Sequence, residues 1–380
     1  MIIEIRGVGF INKGAELMLL ACLQRLRAAY PDALYTMAPS YKSPLQHFRK
    51  MTGLGFLPKA WLPYIGIQLG HMAALTPKVL RQMYGVVLDR DVDIVIDASG
   101  FAYSDQRGVH ATRELSQSSK RWRKQGTKVV LLPQAFGPFR SRGIRRQIKR
   151  AVDNVDLIIA REDTSYNYLT GVTGEHHKIR QHPDFTNLIE GVIPDYFNND
   201  QYSVCLIPNY RMIDMTEGDD SNAYLPFMIR CARNLLSIGE RPFILIHEGA
   251  NDRWLADCIS EAAGRIPILT EEDPLNIKGI IGASKATIGS RFHGLVSALS
   301  QGVPSLATGW SHKYQELLFE YGFPEGLMPV DANEDELARK INMIVDRDSR
   351  KIISDGLLRT SKELKSRTNK MWEEVFSVLN

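Results

Sequence analysis

Residues 190–208 read EGVIPDYFNNDQYSVCLIP, and this stretch decides the architecture. Its first half gathers Gly191, Pro194, Asp195, Asn198, Asn199 and Asp200, residues that interrupt helix and strand periodicity alike. Its second half, YSVCLIP, is an apolar run with the length of a buried strand. A polar interruption followed by a fresh strand marks the end of one domain and the start of another. The break falls near the middle of 380 residues, a length beyond which one hydrophobic core usually stops growing.

Upstream of the break the apolar runs are IIEIRG (2–7), ALYTMA (33–38), VDIVIDA (92–98), KVVLLPQ (128–134) and VDLIIA (155–160). Amphipathic segments such as 13–29, 109–124 and 144–152 separate them. Downstream the runs are YSVCLIP, PFILIHE (242–248), RIPILT (265–270), KATIGS (285–290) and VPSLAT (303–308). Such alternation implies parallel sheets covered by helices on both faces. The expected fold is α/β with two Rossmann-like doubly wound domains facing a cleft, over 1–195 and 196–355. A charged helical segment, 356–380, follows them.

The apolar fraction of 44% and charged fraction of 24% exclude a disordered or fibrous chain. The net charge of +4 is thinly spread, except for RWRK and RSRGIRRQIKR between Lys120 and Arg150. That cluster reads as a solvated helix face, or as a surface for an anionic polysaccharide, a lipid-linked acceptor or nucleic acid. Without interleaved aromatics or a nucleic-acid motif, nucleic acid is the weakest of these, and no nucleic-acid partner is expected. Cys22, Cys205, Cys231 and Cys258 lie far apart in apolar contexts, which fits buried thiols in a reducing compartment, with neither disulfide nor zinc site. Glu4 and Arg6 interrupt MIIEIRGVGF too early for a secretory signal, so a cytoplasmic protein is expected. Residues 60–77 carry no Asp, Glu, Lys or Arg, close to a bilayer-spanning length. Pro63, Gly66, Gln68, Gly70, His71 and Pro77 break the stretch into a loop with short helices. Trp61, Tyr64 and Ile65 are its candidates for peripheral contact with a membrane or a lipid-linked substrate.

Ligands of open parallel sheets bind beyond the carboxyl ends of the strands, so the residues after each run carry the functional reading. In the first series these are GVGFINKGAE (7–16), DASGFAYSD (97–105), PQAFGPF (133–139) and REDTS (161–165). Gly7, Gly9 and Gly14 do not follow G-x-G-x-x-G, and no acid closes the second strand, which argues against a dinucleotide. A turn that brings Asn12 and Lys13 to a helix amino terminus suits an anion or a hydroxyl-rich ligand; equally, the glycines serve turn geometry alone. In the second series PNYR supplies Arg211, IHEGAND supplies His247, Glu248 and Asp252, and IGSRFHG supplies Ser290, Arg291 and His293. An Arg-x-His at a strand-to-helix turn suits phosphate or carboxylate, because the guanidinium offers a fork and the helix amides add positive charge. The structural alternative for His293 and for His247 is a core histidine. No histidine or acidic spacing fits a metal, and no G-x-S-x-G is present, so neither a metal nor a covalent nucleophile is expected.

The segment GSRFHGLVSALSQGVPSLATGWSHKYQELLFEYG (289–322) resembles the most diagnostic part of the polysaccharide pyruvyl transferases. The likeness is carried by Arg291, His293, Gly302, Pro304 and Lys313. NKGAE, DASG, AFGP and the Arg-x-x-x-Ser of REDTS resemble further family features, so the resemblance covers nearly the whole chain. HPDF (182–185) stands where many relatives have Asp-Pro, and Ala15 where many have aspartate.

The resemblance implies a GT-B-like fold whose last helix packs back on the first domain. It implies phosphoenolpyruvate as donor and co-substrate, no other cofactor, and a pyruvate ketal on a hexose-containing saccharide or lipid-linked oligosaccharide. On this reading Arg211 and Arg291 clamp the donor, Lys313 is a third cation, and His247 and Ser290 complete the donor side. His293 is the general acid, since histidine titrates near neutral pH. The acceptor side would draw on Asn12, Lys13, Gly100, Phe101, Tyr103, Gln134 and Asp184. The base stays open among Asp97, Asp105, Glu162 and Asp184. Two alternatives remain: a nucleotide-sugar glycosyltransferase of the same fold, drafting Glu271, Glu272 or Glu316 for a ribose, and a non-catalytic sugar-binding member of a polysaccharide assembly complex.

Overall fold

A computed structural model describes residues 1–40, 44–61, 63–64, 67–214, 219–309 and 311–380. Ile65 lies outside the described residues, as does the side chain of Tyr64. Contacts divide the chain into two units, one of Met1–Phe10, Met18–Phe185 and Asn369–Asn380, the other of Ile11–Leu17 and Thr186–Thr368.

The first unit runs β1 (Ile2–Arg6), α1 (Lys13–Ala29, whose first turn belongs to the second unit), β2 (Leu34–Met37), α2 (Pro44–Gly53) and β3 (Phe56–Pro58). Next come β4 (Pro63–Tyr64), β5 (Ile67–Gln68), a 3-10 turn at Leu69–Leu75, α3 (Lys78–Met83) and β6 (Ile94–Asp97). The unit continues through α4 (Val109–Gln125), β7 (Lys128–Gln134), α5 (Arg142–Asn154), β8 (Leu157–Ala160), α6 (Asp163–Thr173) and β9 (Ile179–Gln181). Its seven-stranded sheet has the order β3-β2-β1-β6-β7-β8-β9, with every pairing parallel. β6 and β8 are buried throughout, which is why their sequences read as unbroken apolar runs rather than alternations. α5 buries Ile144, Ile148, Ala151 and Val152 on one stripe, the spacing that directs one helix face to the core.

The second unit runs β10 (Val204–Ile207), α7 (Arg211–Asp214), α8 (Asp219–Ser237), β11 (Pro242–Ile246), α9 (Gly249–Ala262) and β12 (Ile268–Thr270). It continues with α10 (Pro274–Ala283), β13 (Ala286–Gly289), α11 (Phe292–Leu299), β14 (Ser305–Ala307), α12 (Lys313–Glu320), α13 (Glu334–Val345) and α14 (Arg347–Leu379). Its sheet has the order β12-β11-β10-β13-β14, again parallel. Both orders reverse once, at β1/β6 and at β10/β13, and such switch points open a crevice beyond the strand ends. The two parallel-sheet α/β domains expected from the alternation of runs are present.

The structure adds elements that the sequence did not announce. β3 and β9 are three-residue edge strands, too short for a periodicity to show. Residues 60–77 hold β4, β5 and the 3-10 turn, and among the described residues no helix is long and apolar enough to cross a membrane. Trp61 is half-buried, with Lys59 Nζ 5.5 Å from its ring. All four cysteines are free, and Cys22, Cys205 and Cys231 are buried.

A buried charge network braces the first sheet. Lys59, whose side chain is 1% exposed, pairs with Glu4 and lies 2.8 Å from Asp89. Asp89 also accepts from Arg121 and from the Trp122 indole at 3.0 Å. Burial alone would raise the Asp89 carboxyl, but Lys59 and Arg121 outweigh it and hold the group well below the usual carboxylate range.

Candidate functional site

The site of the second unit begins with backbone. Ile207 of β10 pairs with Gly289 of β13 at the switch point, so the chain leaving both strands emerges side by side. A network of hydroxyls then fixes that exit. Ser290 O accepts from Asn209 Nδ2 at 2.6 Å and from the Tyr314 hydroxyl at 2.7 Å. Ser290 Oγ donates to the Tyr224 hydroxyl at 2.9 Å, and that same oxygen accepts from the Asn209 amide at 3.0 Å. All four side chains are buried. Ser290, expected on the donor side, is thus a fixed part of the strand exit.

Arg291 caps α11 and is only 8% exposed. Its guanidinium is gripped by Glu248 and by Asp252, from the residues that follow β11. Burial works against the charge of Arg291, yet the two carboxylates more than offset it and raise its pKa. Burial raises Asp252, against the pull of Arg291. Asn12 Nδ2 donates to Glu248 at 3.0 Å, while Asn12 Oδ1 caps α1 by accepting from the amides of Gly14 and Ala15 at 2.9 and 3.2 Å. Lys13 Nζ reaches Glu16 at 2.9 Å and the Glu272 carbonyl at 2.6 Å. Asn12 and Lys13, which the sequence assigned to the acceptor side of the first domain, therefore make these contacts inside the second unit.

His247 follows β11 directly and is buried, with its Nδ1 lacking a hydrogen-bond partner among the described residues. Burial first, then the charges of Arg291, His293 and Lys13, push its pKa well below the ordinary histidine value, so its ring is neutral near neutral pH. His293 sits in the first turn of α11. A Cβ placed on Gly14 would lie 2.5 Å from its Nδ1, so glycine at that position is what lets the imidazole approach the first turn of α1. A pocket of about 240 Å³ opens beside Arg291, lined by Arg211, Asp214, Tyr210, Glu248, Asp252 and Arg291 among others, and neither His247 nor His293 is part of its lining. Arg211 pairs with Asp214 at 2.6 Å and is about half exposed. Lys313 is buried, its Nζ 5.6 Å from the Phe292 ring and 5.4 Å from the Tyr314 ring, and it does not line that pocket.

In the first unit the expected acceptor residues gather around Asp97. Its carboxylate accepts from the Tyr103 hydroxyl at 2.7 Å and the Gln134 amide at 3.4 Å, and lies 3.2 Å from Arg6. Asp97 and Gln134 are fully buried and Tyr103 nearly so. Gln134 Oε1 has no hydrogen-bond partner among the described residues. Gly7 (φ +77°) has no room for a side chain, since a Cβ would meet Ser99 Oγ at 2.0 Å; Gly100, also at positive φ, and Phe101 follow in the same turn. Asp184 is held separately, by Arg161 at 3.1 Å. Glu162 lies 3.4 Å from Arg161 and contacts Ser165, while Asp105 accepts the amides of Arg140 and Ser141. Among the described residues no cluster of His, Cys, Asp or Glu is placed to hold a metal ion.

The profile of the family described as polysaccharide pyruvyl transferase matches residues 12–312, from the Asn12 cap through Arg291 and His293. The chain belongs to the polysaccharide pyruvyl transferase family. No curated protein matches this family member. Solved structures of like fold include Anabaena Alr3699/HepE in complex with UDP and glucose, at 14% identity and TM-score 0.58, covering 100% of this chain and 98% of that one. S. aureus MnaA with UDP matches at 11% identity and TM-score 0.59, covering 97% and 94%. A putative UDP-N-acetylglucosamine 2-epimerase from Listeria monocytogenes matches at 12% and 0.58, also covering 97% and 94%. At these identities the likeness is one of fold, the two-domain GT-B arrangement of parallel sheets.

Sequence reading placed Arg291, His293, His247 and Arg211 at strand ends, where the structure also has them, but missed the carboxylates that hold Arg291. Glu248 and Asp252 were visible at the end of β11, and a run ending in His, Glu and Asp beside a strand-end Arg is the signal for such a pairing. Nothing in the sequence of α8 marked Tyr224 as the hydroxyl that ties Asn209 to Ser290.

Proposed function

We propose that this chain transfers a pyruvyl group from phosphoenolpyruvate to a hexose of a polysaccharide or of its lipid-linked precursor, closing a pyruvate ketal and releasing phosphate. The observation that carries the reading is the Arg291–His293 turn at the β10/β13 switch point, whose Arg291 lines a pocket of about 240 Å³. Family membership supports the transferase class.

In this mechanism the donor's anionic groups meet Arg291 and Arg211. Glu248, the more exposed of the two carboxylates on Arg291, gives way to a donor oxygen while Asp252 stays as anchor. His293 protonates the methylene carbon. One sugar hydroxyl attacks the resulting cationic carbon and gives up its proton. The carbon–oxygen bond to phosphate then breaks, and a second hydroxyl adds and loses its proton. Of the two hydroxyl protons, one balances the new methyl group and the other leaves on phosphate. His247, held neutral by burial and surrounding cations, can donate or accept a hydrogen bond but is not a charged acid. The reaction is assigned to the cytosol, at the inner face of the membrane when the acceptor is lipid-linked.

The fold likeness to proteins solved with UDP or a UDP-sugar motivates the rival reading, transfer of a nucleotide-linked sugar. One experiment separates the two: phosphate release from phosphoenolpyruvate across a panel of hexosides, beside thermal shift with phosphoenolpyruvate and with UDP-sugars. Acceptor-dependent phosphate release is expected. Stabilisation by a UDP-sugar alone, with no phosphate released from any acceptor, would overturn the proposal.

A further inference from the structure

One segment of the first unit is turned inside out. α3 buries Arg81, which is bound to Asp91 at 3.1 Å and to the Thr76 carbonyl at 3.3 Å. The apolar residues around it face outward: Met72, Leu75, Val79, Leu80, Met83 and Tyr84 are between 44% and 83% exposed. Six large apolar side chains within 13 residues form a patch of the kind that marks an interaction surface rather than scattered surface hydrophobes.

A second feature lies in the same unit. α4 and α5 connect β6 to β7 and β7 to β8, successive strands in one direction, and right-handed crossovers place both helices on one face. Asp89, just past α3, ties that connection to α4 through Arg121 and Trp122. The outer side of α5 carries Arg142, Arg145, Arg146, Lys149 and Arg150, all exposed. Among the described residues none of the five has an ion-pair partner.

We propose that this face docks on an anionic lipid bilayer, with residues 72–84 entering the headgroup boundary and the cations of α5 lying over acidic headgroups. A bilayer satisfies both features together, hydrocarbon for the apolar segment and phosphate for the cations. An anionic polysaccharide would answer only the cations. A second copy of the chain would cover the apolar residues and leave α5 without an anion. The inference extends the membrane-face part of the proposed function and is read without any turnover.

The test is co-sedimentation of the full chain with vesicles of phosphatidylglycerol and phosphatidylcholine, against phosphatidylcholine alone. Binding to the anionic vesicles is expected, weakened about tenfold or more by Leu75→Ser, Val79→Ser and Met83→Ser together. Charge reversal by Arg145→Glu, Arg146→Glu and Lys149→Glu should remove the salt-sensitive part. Circular dichroism reports that the variants fold. The proposal is overturned if the wild-type chain ignores anionic vesicles or if the apolar variant binds as well as wild type. It is also overturned if the wild-type chain is a dimer that the apolar substitutions convert to monomer without changing vesicle binding. Absent phosphate release with intact vesicle binding would sink the catalytic reading and leave this one standing.

Discussion

Replacing Gly14 by alanine tests the catalytic role of His293 without touching His293. The added Cβ would stand 2.5 Å from Nδ1, 2.9 Å from Cγ and 3.0 Å from Cβ of the imidazole. Ordinary carbon contacts begin near 3.5 Å, so the ring must retreat by about 1 Å. Alanine also gains up to about 1 kcal/mol of helix propensity over glycine, while overpacking costs about 1–3 kcal/mol. Net stability should fall by no more than about 2 kcal/mol. A 1 Å misplacement of a reacting group costs on the order of 10² in rate, so kcat should fall about a hundredfold with KM for phosphoenolpyruvate nearly unchanged. Phosphate-release kinetics and denaturant unfolding read the two effects separately. A kcat within about threefold of wild type, with stability kept, would refute His293 as the acid. A stability loss above about 4 kcal/mol would refute the premise that the ring, rather than the helix, gives way.

Arg291→Ala should do more than weaken the donor, because it strands Asp252, whose side chain is 1% exposed; unfolding should show a loss of about 3–5 kcal/mol. Arg291→Lys should recover most of that stability yet stay at least about tenfold impaired in turnover, since an ammonium cannot reproduce the fork. Asp89→Asn should cost about 3 kcal/mol at neutral pH by leaving Lys59 short of a partner. Because the native Asp89 carboxyl is held below its ordinary 3.8, its contribution is complete above that pH and disappears as pH falls through the lower native value. The wild-type chain should lose stability in that acid range more steeply than the Asn variant, as urea titrations at successive pH values would reveal. Burial pushes the thiols of Cys22, Cys205 and Cys231 up, so a thiol reagent should label these three only on unfolding; rapid labelling of any of them in the native chain would contradict the packing described.

Strands buried on both faces were legible because they need continuous apolar runs, and α1 was legible from its start at Lys13 to its end at Ala29. β3 and β9 were hidden, since three residues at a sheet edge carry no period. The placing of a candidate residue was legible where a strand-to-helix turn fixes it, as at Arg291. It was hidden where the partner came from another element: Glu248 and Asp252 meet Arg291 only because β11 and β13 flank β10. The contacts of Asn12 with Glu248 and of Lys13 with Glu272 depend on how residues 11–17 pack, which local sequence does not encode.

The hydroxyl network at Ser290 has a consequence for anyone who would retool this scaffold for a new substrate. Its carbonyl is held by two donors and its side-chain oxygen by Tyr224, so randomising Ser290, Asn209 or Tyr224 would mostly yield chains that misfold. Asn251 borders the pocket of Arg291 yet faces water, and a library aimed there samples new recognition while the frame beneath stays put. The molecule thereby separates what must stay constant from what can drift, at the ends of neighbouring strands.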